Sequence, residues 1–209
     1  VPMGISLYYS FCDYNILTPA VFSGAKNYIK MFTDDEVWRK SIQVTFYFAL
    51  VSVPLRLIFA LIVAMLLLKT TKATGFYRAA YYLPSIIGGS VAVAVLWKRI
   101  WATNGVINTL LNTIGIKTSF AWLGNTKTAI WMLIILAVWQ FGSSMVMFLA
   151  ALKNVPADLY EAAEIDGASK VKMFFSITVP QITPIIFFNL IMQTIQALQN
   201  FTSAFVITD

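Results

Sequence analysis

The chain has 209 residues, of which 59% are hydrophobic and 11% charged, a balance that excludes an ordinary soluble domain. With membrane spans of about 20 residues each, about four or five crossings fit and a second soluble domain does not. Histidine is absent and Cys12 is the lone cysteine, which excludes Cys/His zinc sites, histidine triads and an internal disulfide. The formal charge of +6 is spread over loops, and it reads as membrane-flanking charge rather than a nucleic-acid footprint.

In chain order, residues 1–10 read as the outer end of a first span. Residues 11–40 are polar and mixed, broken by Ser23-Gly24 and Asp34-Asp35-Glu36, and are expected outside the bilayer. Residues 41–68 are long enough to cross and stop at Lys69-Thr70-Thr71-Lys72. A basic, aromatic link with Tyr77, Arg78, Tyr81 and Tyr82 leads into a second crossing over 83–101, in which Gly88-Gly89-Ser90 suggest a close helix contact or a kink. Ile107, Leu110, Leu111 and Ile114 then recur at i, i+3, i+4, i+7, the pattern of a surface helix. Residues 128–152 cross, 153–179 form a polar interruption, and 180–208 cross again.

If the spans alternate, Trp38, Trp97, Trp101, Trp122 and Trp131 share one membrane face as an aromatic belt. Lys and Arg number eight on that face and six on the face bearing residues 153–179, so the positive-inside rule slightly opposes a cytoplasmic position for the interruption. The chain is expected to be one transmembrane domain over 1–209. Its start at Val1-Pro2-Met3 and its end at Asp209 after an apolar run suggest a piece trimmed at both ends.

The interruption reads as two short helices with a hinge. Pro156 suits a first helical position, and Asp158 and Glu161 put negative charge where the helix dipole favours it. Gly167 stands where the first helix should stop, since glycine accepts a left-handed conformation. Pro180 is expected to close the second helix and open the next span. A helical hairpin held between two spans is suited to receive a push from a soluble partner.

No G-x-x-x-x-G-K-[ST] phosphate loop is present, and no Asp or Glu falls inside 41–68, 83–101, 128–152 or 180–208. The chain therefore does not hydrolyse ATP by that route, and it lacks the intramembrane acid a proton-coupled carrier usually keeps. A passive pore or a subunit driven by a separate ATPase remains. Asn189, Gln193, Gln196 and Asn200 fall at i, i+4, i+7, i+11 on one helix face, and Gln140, Ser143 and Ser144 repeat the idea one span earlier. Such amides and hydroxyls suit sugar hydroxyls, with Trp139, Phe141 and Phe201 as stacking rings. They equally suit interhelical hydrogen bonds. Arg56, the lone charge inside a span, reads either as a snorkelling or subunit-contact residue or as a contact for an anionic substrate.

Glu161-Ala162-Ala163, three residues, Gly167, nine residues and Ile177-Thr178-Val179-Pro180 resemble the EAA loop of ATP-binding-cassette (ABC) importer permeases, with Val179 in place of leucine. Phe11 to Asn15, Val53-Pro54-Leu55, Phe76-Tyr77-Arg78, Leu83-Pro84 and Phe201 to Asp209 are similar to the maltose-type, oligosaccharide branch. The resemblance implies an all-α, polytopic transmembrane bundle in the cell membrane, with a cytoplasmic EAA hairpin. It implies that Glu161, Ala162, Ala163 and Gly167 couple to an ATPase. It also places Gln140, Ser143, Ser144, Asn189, Gln193, Gln196, Gln199 and Asn200 toward the sugar. Implied partners are a second permease subunit, two ATPase subunits carrying ATP and Mg, and an extracytoplasmic solute-binding protein. The chain itself would hold no cofactor and be no enzyme. An ATP-independent carrier or channel is the alternative.

Overall fold

The computed structural model describes residues 1–15, 17–69 and 73–208. Thr70, Thr71 and Lys72 of the expected polar stop, and Asp209 of the terminal segment, lie outside them. The chain divides into two compact units, Val1–Tyr47 and Phe48–Asp209.

The first unit holds helix α1 (Pro2–Ser10), a hairpin of β1 (Cys12–Asn15) and β2 (Thr18–Phe22), α2 (Lys26–Thr33), and the start of α3 (Glu36–Leu66). The strands pair antiparallel, with Cys12 opposite Phe22 and a register shift between Asp13 and Asn15. This hairpin was not expected in an irregular segment. Asp13, Asn15 and Pro19 are poor strand residues, and Pro19 is tolerated because a two-stranded sheet has only edges. Asn27 secures the turn into β1, donating from Nδ2 to the carbonyls of Ser10 at 3.1 Å and Cys12 at 2.9 Å. Cys12 is buried.

The second unit continues α3 and adds α4 (Thr74–Ile87), α5 (Val91–Ile100), α6 (Val106–Thr113), α7 (Thr126–Trp139) and α8 (Gly142–Lys153). Then come α9 (Ala157–Ile165), α10 (Lys170–Met173), a π-helical turn (Phe174–Thr178), α11 (Val179–Leu198) and α12 (Thr202–Thr208). Its main core sets Val53, Leu57, Ala60 and Ala64 of α3 against Met145, Phe148, Leu149 and Leu152 of α8, with Ile182 of α11 beside them. The α3 positions recur at i, i+4, i+7, i+11, one helix face, and the fully buried Ala60 and Ala64 are small enough for helices to approach closely where lipid supplies no hydrophobic drive. Ala94, Leu136 and Ile207 join α5, α7 and α12 in a second cluster.

Two helical runs, Glu36–Leu66 and Lys170–Leu198, are each long and apolar enough to cross a membrane, and up to four spans result if two bent helix pairs each count as one. The bends interrupt two expected crossings, the first of them at the Gly88-Gly89-Ser90 kink. The expected crossing 83–101 is two helices meeting at 102°, and the aromatic link Tyr77–Tyr82 is already helical within α4. Gly88-Gly89 lack the side chains that would pack a continued helix, and Ser90 takes an extended conformation and caps α5 by accepting from the Val93 N–H. The crossing 128–152 bends by 42° between α7 and α8. The last one stops at Leu198 and resumes only at Thr202.

Pro180 does not close the second hairpin helix. The helix runs through it, because the hydrogen-bond register shifts just before: the Val179 N–H reaches back to the Phe174 carbonyl, five residues away. A widened π turn accommodates the residue that has no donor of its own.

In the connection between α5 and α7, Asn108 is buried and its amide is used at both ends. Nδ2 donates to the carbonyls of Thr103 (2.8 Å) and Phe120 (3.0 Å), and Oδ1 accepts from Trp122 Nε1 at 2.8 Å. Trp97, Trp101 and Trp122 pack as one aromatic chain, with centroid separations of 6.1 and 5.6 Å. Leu110 and Ile114 of the expected amphipathic helix remain exposed.

Gly142 opens α8 directly against α4, and a Cβ there would meet the Tyr81 carbonyl, the Tyr82 Cα and the Ser85 hydroxyl. Gly142→Ala should therefore destabilise by about 1–3 kcal/mol through overpacking, read as a lower thermal-unfolding midpoint in detergent. Gly4→Ala, with nothing within 4 Å, should leave the midpoint level or slightly raised.

Candidate functional site

The helix interruptions converge. A cavity of about 300 Å³ in the second unit is walled by α3 (Ser52, Arg56), the α4–α5 break (Gly89), the end of α7 (Gln140), the end of α11 (Gln193, Gln196) and the break that follows (Gln199, Asn200). Six of the expected site residues therefore share one space: Arg56, Gln140, Gln193, Gln196, Gln199 and Asn200. Ser52, Thr202, Ser203 and Phe48 also line it and were missed. The signal for two of them was present, since Phe48, Ser52 and Arg56 follow at i, i+4, i+8 on one face of α3.

Asn189, Ser143 and Ser144 do not line this cavity. Asn189 is fully buried. Its Nδ2 donates to the Ile185 carbonyl at 2.9 Å and lies 3.8 Å from Met147 Sδ on α8, so it sits in helix–helix packing. Ser144 is fully buried, its hydroxyl without a partner among the described residues, and Ser143 is half-buried. Among the rings, Phe201 lines the cavity. Phe141 is buried against Phe59, 4.8 Å between centroids, and Trp139 packs on Trp97 at 6.1 Å.

Arg56 Nη2 donates to the backbone carbonyl of Gln140. That residue is the cap at which α7 ends, where carbonyls lack intrahelical donors and the dipole favours a cation. The side chain of Gln140 turns to the other break, its Nε2 donating to the Gly88 carbonyl at 3.3 Å. One arginine and one glutamine thus link α3 to two interruptions. Among the described residues, buried Arg56 Nε and Gln193 Oε1 have no partner, which leaves one donor and one acceptor free at the cavity wall.

The hairpin sits apart from the cavity. Gly167 has φ +72°. The Gly167 N–H bonds the Glu164 carbonyl at 3.0 Å, and the Ala168 N–H bonds the Ala163 carbonyl at 2.9 Å, the paired bonds of a Schellman ending. Nothing lies within 4 Å of where a Gly167 Cβ would be, so the demand for glycine is conformational rather than steric. Pro156 is the cap, one residue before the first helical position expected of it. Tyr160 Oη and Thr178 Oγ1, 2.7 Å apart, tie α9 to the π turn. Glu161 and Ala162 are exposed and Ala163 is half-buried.

Apolar membrane-length helices, a polar cavity between helix breaks and a helical hairpin leading straight into one of those helices define a membrane transport subunit. Residues 35–208 match the family described as binding-protein-dependent transport system inner membrane component, and the chain belongs to that family. It is 52% identical over 208 residues to the probable ABC transporter permease protein YesP of Bacillus subtilis, covering 100% of this chain and 67% of that protein. It is 34% identical over 198 residues to the trehalose/maltose transport system permease protein MalF of Thermococcus litoralis, covering 94% of this chain and 66% of that one. The chain thus spans about two thirds of the length of these curated relatives. Its fold is shared, at TM-score 0.77 and 23% identity over 95% of this chain and 67% of the other, with a chain from a bacterial ABC transporter involved in import of the acidic polysaccharide alginate.

The placement of Asn189 yields a test. Asn189→Leu removes a buried amide whose acceptor is unmet, and should leave the unfolding midpoint in detergent unchanged or raised. Asn189→Asp, burying a carboxylate without a cation, should lower it sharply.

Proposed function

We propose that this chain is the permease subunit of an ABC importer that moves an oligosaccharide across the cell membrane by alternating access. The supporting observation is an unbroken helical run. Lys170–Leu198 is a single stretch of 29 residues that begins inside the hairpin and ends with Gln193 and Gln196 in the cavity wall. A displacement of the hairpin is therefore delivered to the polar lining without passing through a loop.

In this reading Glu161, Ala162, Ala163 and Gly167 form the surface on which an ATPase subunit seats. The small alanine side chains permit close approach, and Glu161 offers a charge to a basic residue. Two such ATPases supply ATP and Mg, a second permease subunit completes the path, and an extracytoplasmic binding protein delivers the solute. The hairpin then lies on the cytoplasmic side. Gln193, Gln196, Gln199 and Asn200 both donate and accept hydrogen bonds, which suits the hydroxyls of a sugar, and Phe201 offers an apolar face for its ring. The named solutes of the sugar-transporting relatives support this substrate class.

In membrane vesicles holding the complete importer, Gly167→Val forces a β-branched residue into left-handed backbone at about 1–2 kcal/mol. Together with Glu161→Lys it should abolish ATP-driven uptake and ATPase stimulation while the subunit still inserts. Gln196→Ala and Asn200→Ala should lower uptake by roughly 2–10-fold each, with assembly intact. Wild-type uptake in both hairpin variants, or uptake that continues without ATP, would favour a carrier or channel instead.

A further inference from the structure

We propose that Arg56 is a charge-selecting residue of the cavity, and that the saccharide it admits carries an anionic group, a carboxylate or a phosphate. This rests on the reading of the cavity as the sugar site. Arg56 is the only charged residue among the described cavity walls, and no carboxylate lines them. The apolar stretches 41–68, 83–101, 128–152 and 180–208 contain no Asp or Glu to answer it either. A guanidinium keeps its charge at physiological pH, and an unanswered charge at this depth is costly. Snorkelling does not explain the residue: Arg56 lies 13 positions from Lys69, about 20 Å along the helix, and its side chain bonds the Gln140 carbonyl instead of reaching for the membrane surface.

That bond uses one donor of a planar fork built for two. Nε is buried and has no partner among the described residues. The backbone carbonyl of Gln140 is a single neutral acceptor, whereas a carboxylate or phosphate offers two oxygens that match the fork and supply the missing charge. An acidic group entering beside Gln196 and Asn200 therefore competes with the Gln140 carbonyl for the guanidinium. The surrounding amides, all uncharged, remain for hydroxyls. The division of labour is plain: the amides read the sugar and Arg56 reads its charge.

The test uses the full-length permease assembled with its native partners in membrane vesicles. Three probes are supplied: a uronic-acid disaccharide, its carboxyl-reduced neutral counterpart, and a phosphorylated disaccharide. Wild type should take up one of the two acidic probes at least about 10-fold better than the neutral one, and which one is preferred identifies the anion. Arg56→Gln should erase that preference, lowering acidic-probe uptake relative to neutral-probe uptake by at least about 10-fold whatever its effect on total uptake, and Arg56→Lys should retain part of it. A wild type without preference for either acidic probe overturns the proposal whatever the variants do. So does an equal loss for all probes in both variants, which would make Arg56 a support for the helix breaks or for a subunit contact. Failure to transport any of the three would sink the saccharide reading itself, a result distinct from transport without charge preference.

Discussion

Backbone groups inside a membrane must find partners within the protein, since lipid offers none. That constraint governs this chain at the places where its helices stop. Between Ile87 and Val91, and between Trp139 and Gly142, the ladder is interrupted and carbonyls are released. The Arg56 guanidinium covers one of them and the Gln140 amide another. These two contacts join three segments that share no continuous helix. They allow irregular backbone at a depth where it is tolerated only around a protein-lined cavity.

The same amide chemistry serves two ends a few residues apart. Asn189 and Gln193 are one helical turn apart on α11 and both are buried. Asn189 is spent on its own helix and on Met147 of α8, whereas Gln193 reaches the cavity wall. Residue type cannot separate the two. What separates them is height along α11 relative to the breaks, because only the end of α11 near Gln199 meets the interruption at Gln140. Polar residues at helical spacing thus mark a face, and the helix endings decide which part of that face opens on a space.

The outlines of the spans, the hairpin, the glycine stop at Gly167 and much of the polar wall were legible in the sequence. Hydrophobic length and the demands of left-handed backbone are local properties, so they can be read locally. One break was legible as well: Gly88-Gly89-Ser90 read as a close contact or a kink, although a bend as large as 102° depends on what packs against either side. The break at Gln140-Phe141 was not, because it lies inside an apolar run. The pairing of Cys12–Asn15 with Thr18–Phe22 is accompanied by Asn27 donating back to the Ser10 and Cys12 carbonyls, a contact between positions distant in sequence. Pro180 misled for a related reason: proline predicts an interruption, but a π turn before it removes the conflict that would have caused one.

The π turn also bears on amplitude. From Thr178 to Gln196 the helix rises about 27 Å. Treated as a rigid rod pivoting at that turn, it converts a tilt of about 5° into a sweep of about 2 Å at Gln196. A sweep of that size can break or make a hydrogen bond, whose useful range spans only a few tenths of an ångström. In the proposed transport cycle, a tilt of that order is enough to exchange the hydrogen bonds of Gln193 and Gln196 at the cavity wall without breaking the helix that carries them.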